Sequence, residues 1–355
     1  MSKAGLERDD LDALEGYHSP QVDVSVRLNT NESPYPPPPA WREAYLAELA
    51  TMPYNRYPDR DAVELRRAIA ALHDVAPEQV FAANGSNEIL QLLCLAYGGH
   101  GRSVAVFEPT YRLHSHIARI TGTEVITGER NTDDLSLDLA EVERVMAAGP
   151  AITFLCSPNN PTGLVEPQEL VEQTLARVPG ILVVDEAYGQ FARWSALSLV
   201  ADDRPLAVVR TYSKTWSMAA CRLGYVVTSA GIVESLEKVV LPYHLDAPKQ
   251  AAGRLALRFR AEMDARVSAI VEERGRLVTA LSELEVDLWP SDANFVLFRP
   301  RGRNGDAVWQ GLLDRSVLVR DCTGWPRLEG CLRVTIGTPQ ENDAFLHALK
   351  ETLES

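Results

Sequence analysis

Between residues 79 and 227 the chain alternates short apolar runs with amphipathic stretches. The runs at 79–83, 104–108, 151–156, 181–184, 206–209 and 223–227 are nearly continuous in Val, Ile, Leu, Phe and Ala, the pattern of strands buried on both faces; 124–127 reads as a shorter strand. Segments 88–97, 139–147 and 167–177 repeat apolar residues at helical spacing, and Pro109-Thr110-Tyr111 reads as the start of another helix. This alternation predicts an α/β fold, a mainly parallel sheet covered by helices. Before it lie an irregular arm with a strand pattern at 22–28, a run of prolines at 36–39, a helix over 41–50, and a second over 61–72 that opens on Asp61. After it the style changes. A long helical stretch covers 255–284, strand patterns fall at 286–289, 294–298, 317–319 and 332–336, and a final helix covers 341–353. The organisation expected is an arm (1–40) packed with the small domain and the site, a large domain (41–245) and a smaller α+β domain (246–355), with the junction near 242–248.

In a covered parallel sheet, ligands bind beyond the carboxyl ends of the strands. Three polar residues fall just there: Asn160, Asp185 and Lys214. Lys214 follows the apolar run 206–209 and stands among Ser213, Thr215 and Ser217; the only other lysines are Lys3, Lys238, Lys249 and Lys350. An amine at the end of a buried strand suits imine formation with a carbonyl, although the stretch taken alone also fits a surface lysine in a polar turn. A second feature is the turn Asn84-Gly85-Ser86-Asn87 between a strand and a helix. Free backbone N–H groups at a helix N-terminus form a cup for phosphate; ordinary capping by Ser86 or Asn87 is the alternative.

The formal charge of −14 speaks against general affinity for nucleic acid or an anionic membrane, but not against a small anion met by local arginines. The five cysteines form no CxxC pair, which suits reduced thiols in a cytoplasmic protein. No segment has membrane-spanning length, and the acidic N-terminus does not read as a signal peptide. His114 and His116 are two apart, so on a helix they point to different sides, and no metal site is expected.

Together the strand-end residues describe a chemistry. Lys214 can hold an aldehyde, Asp185 a protonated ring nitrogen, and Asn160 and Tyr188 a phenolate-type oxygen. Gly85, Ser86, Asn87 and Arg222 can hold a phosphate, and Tyr111 can stack on a ring. Aldehyde, ring nitrogen, ring hydroxyl and phosphate on one molecule describe pyridoxal 5′-phosphate.

The chain resembles the fold-type I, pyridoxal-phosphate-dependent aminotransferases, and within them the histidinol-phosphate aminotransferase family. The resemblance spans almost the whole length. It is carried by Leu-Asn-Thr-Asn-Glu at 28–32, Arg56-Tyr57-Pro58, Asn-Gly-Ser-Asn-Glu at 84–88, Pro109-Thr110-Tyr111, Ser-Pro-Asn-Asn-Pro-Thr-Gly at 157–163, Asp-Glu-Ala-Tyr at 185–188, Ser213-Lys214 and Arg222. Ser-Asp-Ala-Asn-Phe at 291–295, Val319-Arg320-Asp321 and Gly-Cys-Leu-Arg-Val-Thr-Ile-Gly at 330–337 continue it. The resemblance implies that Lys214 is the Schiff-base lysine and proton shuttle. It implies that Asp185 pairs with the pyridine nitrogen, that Asn160 and Tyr188 contact the ring oxygen, that Tyr111 stacks, and that Ser213, Arg222 and residues Gly85 to Asn87 hold the phosphate. It further implies that Tyr57 reaches the phosphate from a partner subunit, so that a homodimer shares its sites, and that Arg333, Arg320, Tyr17 and Asn29 face the substrate. Four positions depart from the family pattern: Ala220-Cys221 where a Gly and a larger apolar residue are usual, Asn87 where an acid is common, and His114 where a second aromatic is usual.

The activity implied is amino-group transfer between L-histidinol phosphate and 2-oxoglutarate, giving imidazole acetol phosphate and glutamate, in histidine biosynthesis. An aromatic substrate such as phenylalanine, decarboxylation of a phosphorylated amino acid, and a regulator's ligand-binding module are the competing readings. The charge of −14 and the lack of room for a DNA-binding domain before Leu28 oppose the last.

Overall fold

A computed structural model describes residues 14, 16 and 21–354. The elements begin with β1 (Val26–Leu28), α1 (Pro39–Ala50), α2 (Val63–His73), β2 (Val80–Ala83), α3 (Ser86–Tyr97), β3 (Ser103–Glu108), α4 (Leu113–Ile120) and β4 (Glu124–Glu129). There follow α5 (Leu139–Met146), β5 (Ile152–Cys156), α6 (Gln168–Leu175), β6 (Ile181–Asp185), β7 (Leu206–Thr211), β8 (Gly224–Thr228), α7 (Ala230–Val239), α8 (Ala247–Ala256) and α9 (Arg260–Ser282). The chain closes with β9 (Val286–Leu288), β10 (Phe295–Pro300), α10 (Gly305–Asp314), β11 (Val317–Asp321), β12 (Leu332–Thr335) and α11 (Pro339–Glu354).

The larger sheet has the order β2-β8-β7-β6-β5-β3-β4. Strands β4, β3, β5, β6 and β7 run parallel, and β8 is antiparallel to both β7 and β2. Strand β6 shows why its sequence is apolar throughout: every residue from Ile181 to Asp185 is buried. Ile181 and Val183 join the core under α3 and α7, whereas Leu182 and Val184 join the core under α5 and α6. The side-chain alternation of a strand thus supplies two cores at once.

The smaller sheet has the order β1-β11-β12-β10-β9. The arm supplies its edge, because β1 pairs in parallel with β11 through Val26↔Val317 and Leu28↔Val319. Phe295, Phe298 and Phe345 anchor the core between this sheet, α9 and α11.

Several sequence expectations are corrected by local chemistry. Helix α2 begins at Val63 rather than at Asp61, because the Asp59 carboxylate accepts from both Asp61 N and Val63 N at 3.0 and 2.8 Å. Helix α4 begins at Leu113, after Tyr111 instead of at Pro109. The stretch expected as one helix over 255–284 is two, α8 and α9, separated by a 3-10 turn at Leu257–Phe259. Helix α8 starts from the Asp246 cap at 2.8 Å, and its Ala252 and Leu255 pack with Leu65 and Tyr225 beside the large sheet. Helices α7 and α10 are additional to the sequence reading; adjacent Ile232 and Val233 blur the helical period of the first.

A buried ion pair ties β4 to the loop after β5. Arg130 and Glu166 pair with side chains 1% and 3% exposed, and Arg130 Nε also donates to the Phe107 carbonyl at 3.2 Å. The Glu166 backbone N–H donates to Ser157 Oγ at 3.0 Å, fixing that loop. Glu166→Ala leaves a guanidinium buried without its counter-charge. It should lower stability by about 3–5 kcal/mol in urea denaturation, whereas Glu143→Ala, which removes a surface pair, should change it by less than about 1 kcal/mol.

Candidate active site

The carboxyl ends of three parallel strands meet on one edge, because Cys156 stands opposite Asp185 and Asp185 opposite Val209. The loop after β5 is held from below: Ser157 N donates to the Asp185 carbonyl at 2.9 Å, and Asn159 Nδ2 donates to the Pro109 carbonyl at 3.0 Å. Asn159 is consumed by that bracing, which leaves Asn160 to line the cavity. Beyond β7, Thr211 Oγ1 donates to Ser213 Oγ at 3.0 Å, and Lys214 follows.

The cavity, about 420 Å³, opens above this edge and includes Ser86, Asn87, Tyr111, Asn160, Asp185 and Lys214 in its wall. At its rim Gly85 adopts φ 86° and leads straight into α3 with no side-chain cap, so the first N–H groups of the helix stay unclaimed by capping side chains. Gly224 of β8 passes so close that a Cβ there would meet Ser86 N at 2.5 Å. Arg222, with φ 50°, places Nη1 3.3 Å from Ser213 Oγ, and a Cβ at Gly85 would lie 2.9 Å from its Nη2. The guanidinium, a hydroxyl and the helix N-terminus thus form an electropositive cradle.

On the cavity floor Asp185 is 1% exposed. Its Oδ1 accepts from Ala187 N at 3.0 Å, and its Oδ2 pairs with His114 Nε2 at 3.0 Å. His114 is fully buried, stacked on Phe154 with ring centres 4.8 Å apart and edge-on to Tyr111. Since an ionised carboxylate only accepts, Nε2 is the donor. In the sequence His114 stands out only as a departure from the family pattern and as half of a pair not expected to bind metal. The signal that was available is its spacing, three residues after Tyr111.

Lys214 reaches the cavity with Nζ donating to the Thr30 carbonyl at 2.9 Å. Burial pushes its amine down to about 7; Arg333 and Arg222 add to the depression, and Glu32 opposes it. Tyr188 is buried, and its hydroxyl accepts from Asn31 Nδ2 at 2.9 Å. Burial raises that phenol above its ordinary range. Tyr111 donates to Asn87 Oδ1 at 3.2 Å.

The smaller sheet supplies the opposite wall. Arg333 donates to the Asn160 side chain and, at 2.8 Å, to the Asn29 carbonyl, while its guanidinium lies 5.1 Å from the Phe295 ring centre. Arg320 is 9% exposed and stands directly across from Arg333 in the β11–β12 register. Asn29 and Arg320 both line the cavity. Thr30, Asn31 and Thr211 were not singled out from the sequence; the first two sit inside the Leu-Asn-Thr-Asn-Glu motif. Tyr57 is not in this cavity. It is 80% exposed and stacks on Tyr243 with ring centres 4.5 Å apart. Tyr17 lies outside the described residues.

A family model for aminotransferases of class I and II matches residues 24–349. A histidinol-phosphate aminotransferase of Frankia casuarinae is 48% identical over 98% of this chain and 90% of its own length. One of Streptomyces avermitilis is 46% identical over 97% of this chain and 95% of its own. Among solved structures, the histidinol-phosphate aminotransferase of Sinorhizobium meliloti, in complex with pyridoxal-5′-phosphate, shares the fold with a TM-score of 0.88. It covers 99% of both chains at 22% identity. An aspartate aminotransferase of Thermus thermophilus shares the fold with a TM-score of 0.82 at 23% identity over 99% of both chains. A match through both sheets, joined to nearly half of the residues held in common, means that the chain belongs to the class I and II aminotransferases and, within them, to the histidinol-phosphate aminotransferase family.

Proposed function

We propose that the protein transfers the amino group of L-histidinol phosphate to 2-oxoglutarate, giving imidazole acetol phosphate and glutamate, with pyridoxal 5′-phosphate as cofactor. The observation that carries this reading is the pairing of a depressed lysine amine with two arginines, Arg320 and Arg333, on the facing wall. Opposed like charges across an antiparallel pair repel. The partners of Arg333 are an amide, a carbonyl and an aromatic ring, all uncharged, so its positive charge remains available to an anion. That suits a site that must accept the phosphate of one substrate and the carboxylates of another.

The residues present fit the cofactor. Its phosphate matches the cradle of Ser213, Arg222 and residues Gly85 to Asn87, where a side chain on Gly85 would crowd the guanidinium. Asp185, held by His114, would keep a ring nitrogen protonated. Asn160 and Tyr188 would face the ring oxygen and Tyr111 the ring itself. Pyridoxal 5′-phosphate supplies an aldehyde for amines to condense with and a ring that draws electrons from the neighbouring carbon.

The chain does the rest. Lys214, losing its proton as pH rises through about 7, presents a neutral amine that can attack a carbonyl and can take and return a proton at the substrate α-carbon. Arg320 and Arg333 orient the anionic end of each substrate, and Asn29 completes the substrate side.

A homodimer is part of the proposal, with Tyr57 of one subunit reaching the phosphate of its neighbour. Supporting it, Tyr54, Tyr57 and Leu241 are 69%, 80% and 76% exposed, and such exposure of large apolar side chains marks an interaction surface. We place the protein in the cytoplasm. Two observations agree with that: among the described residues no helix is long and apolar enough to cross a membrane, and all five cysteines are free.

Half-reactions followed by absorbance test the donor. L-Histidinol phosphate and L-glutamate, each added alone to the cofactor-loaded protein, should convert it rapidly, with L-phenylalanine slower by about tenfold or more. Rapid conversion by phenylalanine with no response to histidinol phosphate would overturn the assignment. The lysine is tested on the cofactor-free protein by amine-selective labelling and peptide mapping. Reactivity of Lys214 should rise with pH around a midpoint near 7. A midpoint near the ordinary lysine value of about 10.4 would refute it.

A further inference from the structure

The cavity wall is unevenly charged. It carries four cations, Lys214, Arg222, Arg320 and Arg333, against two carboxylates, Asp185 and Glu32. Asp185 stands on the floor, held by His114 and the Ala187 N–H and facing the proposed ring nitrogen. Glu32 stands on the arm. Its Oε2 accepts from Thr30 Oγ1 at 2.9 Å and lies 3.7 Å from the exposed Arg27 guanidinium, and among the described residues its Oε1 has no protein partner.

Its backbone is rigidly placed. Asn31 takes a left-handed φ of 55°, turning the arm so that the carbonyl before it meets Lys214 and the residue after it lines the cavity. Asn31 is pinned through its N–H to Thr335 Oγ1 at 2.9 Å, while Asn294 Nδ2 donates to its carbonyl at 3.2 Å. From this held backbone the Glu32 side chain extends into the cavity wall, 45% exposed.

The substrate chemistry supplies a need for it. A phosphate finds donors in Arg320 and Arg333. An imidazole N–H needs an acceptor, which a guanidinium cannot supply. Asn87 Oδ1 already accepts from Tyr111, and the Tyr188 hydroxyl from Asn31. An N–H enclosed without a partner weakens binding strongly, and an ionised carboxylate is the strongest available acceptor.

We infer that Glu32 is a specificity-determining residue: its carboxylate accepts the ring N–H of the amino donor, and its charge disfavours dicarboxylates at the same end of the cavity. The inference rests on the proposed donor. It predicts effects of opposite sign on the two substrates of one enzyme, which a purely structural role does not produce.

The test is Glu32→Gln in the cofactor-loaded protein, with half-reactions of L-histidinol phosphate, L-glutamate and L-phenylalaninol phosphate, in which a phenyl ring replaces the imidazole. The rate constant for histidinol phosphate should fall about tenfold, collapsing its advantage over the phenyl analogue. That for glutamate should rise by up to about fivefold, as expected for relief of a partly solvated like charge. In a Lys214→Ala background, where turnover is blocked, calorimetry should show the same tenfold loss in Kd for histidinol phosphate. An equal fall for all three amines would mean that Glu32 only shapes the arm, and no change would mean that the acceptor lies elsewhere; either result overturns the inference. If wild-type protein fails to convert histidinol phosphate at all, the donor assignment itself fails and the role of Glu32 falls with it.

Discussion

The site depends on the in-register carboxyl ends of β5, β6 and β7. Parallel pairing of Cys156 with Asp185, and of Asp185 with Val209, brings three polar loops to one edge of a sheet whose interior is otherwise apolar. Because those strands are buried on both faces, a one-residue slip would exchange the cores above and below them. The hydrophobic packing of Val183 on one side and of Leu182 and Val184 on the other therefore fixes where the Asp185 carboxylate stands. It fixes equally how far the loop beyond β7 must run before Lys214 appears.

Electrostatics then builds on that frame. The amine of Lys214 shares a cavity with three guanidiniums, which a protein interior tolerates only with compensating acceptors. Those acceptors are mainly neutral: the Thr30 carbonyl for Lys214, and the Asn29 carbonyl and Asn160 amide for Arg333. Neutral partners hold the cations in place without cancelling them, so the site keeps its attraction for anions. The arm matters here more than its length suggests. Residues 29–32 supply two of those carbonyls, the partner of the Tyr188 hydroxyl and the Glu32 carboxylate.

Much of this was legible in the residues. The apolar runs gave the strands of the large sheet, and polar residues immediately after them marked Asn160, Asp185 and Lys214. The helix boundaries that the pattern misplaces have local causes. The start of α2 is set by Asp59 reaching forward, and the break between α8 and α9 leaves no proline or glycine as a marker. The role of His114 is hidden in the sequence because its partner, Asp185, is 71 residues away.

The sequence by itself determined the fold class, the family and the residue types at the strand ends, since periodicity and motif order are local properties of a chain. Tertiary structure alone decided which atoms those residues meet. The depressed Lys214 amine, the opposition of Arg320 and Arg333, the His114–Asp185 bond and the standing of Glu32 at the cavity all join segments distant in sequence. Desolvation and Coulomb interactions depend on separation in space, and no pattern along the chain encodes that separation.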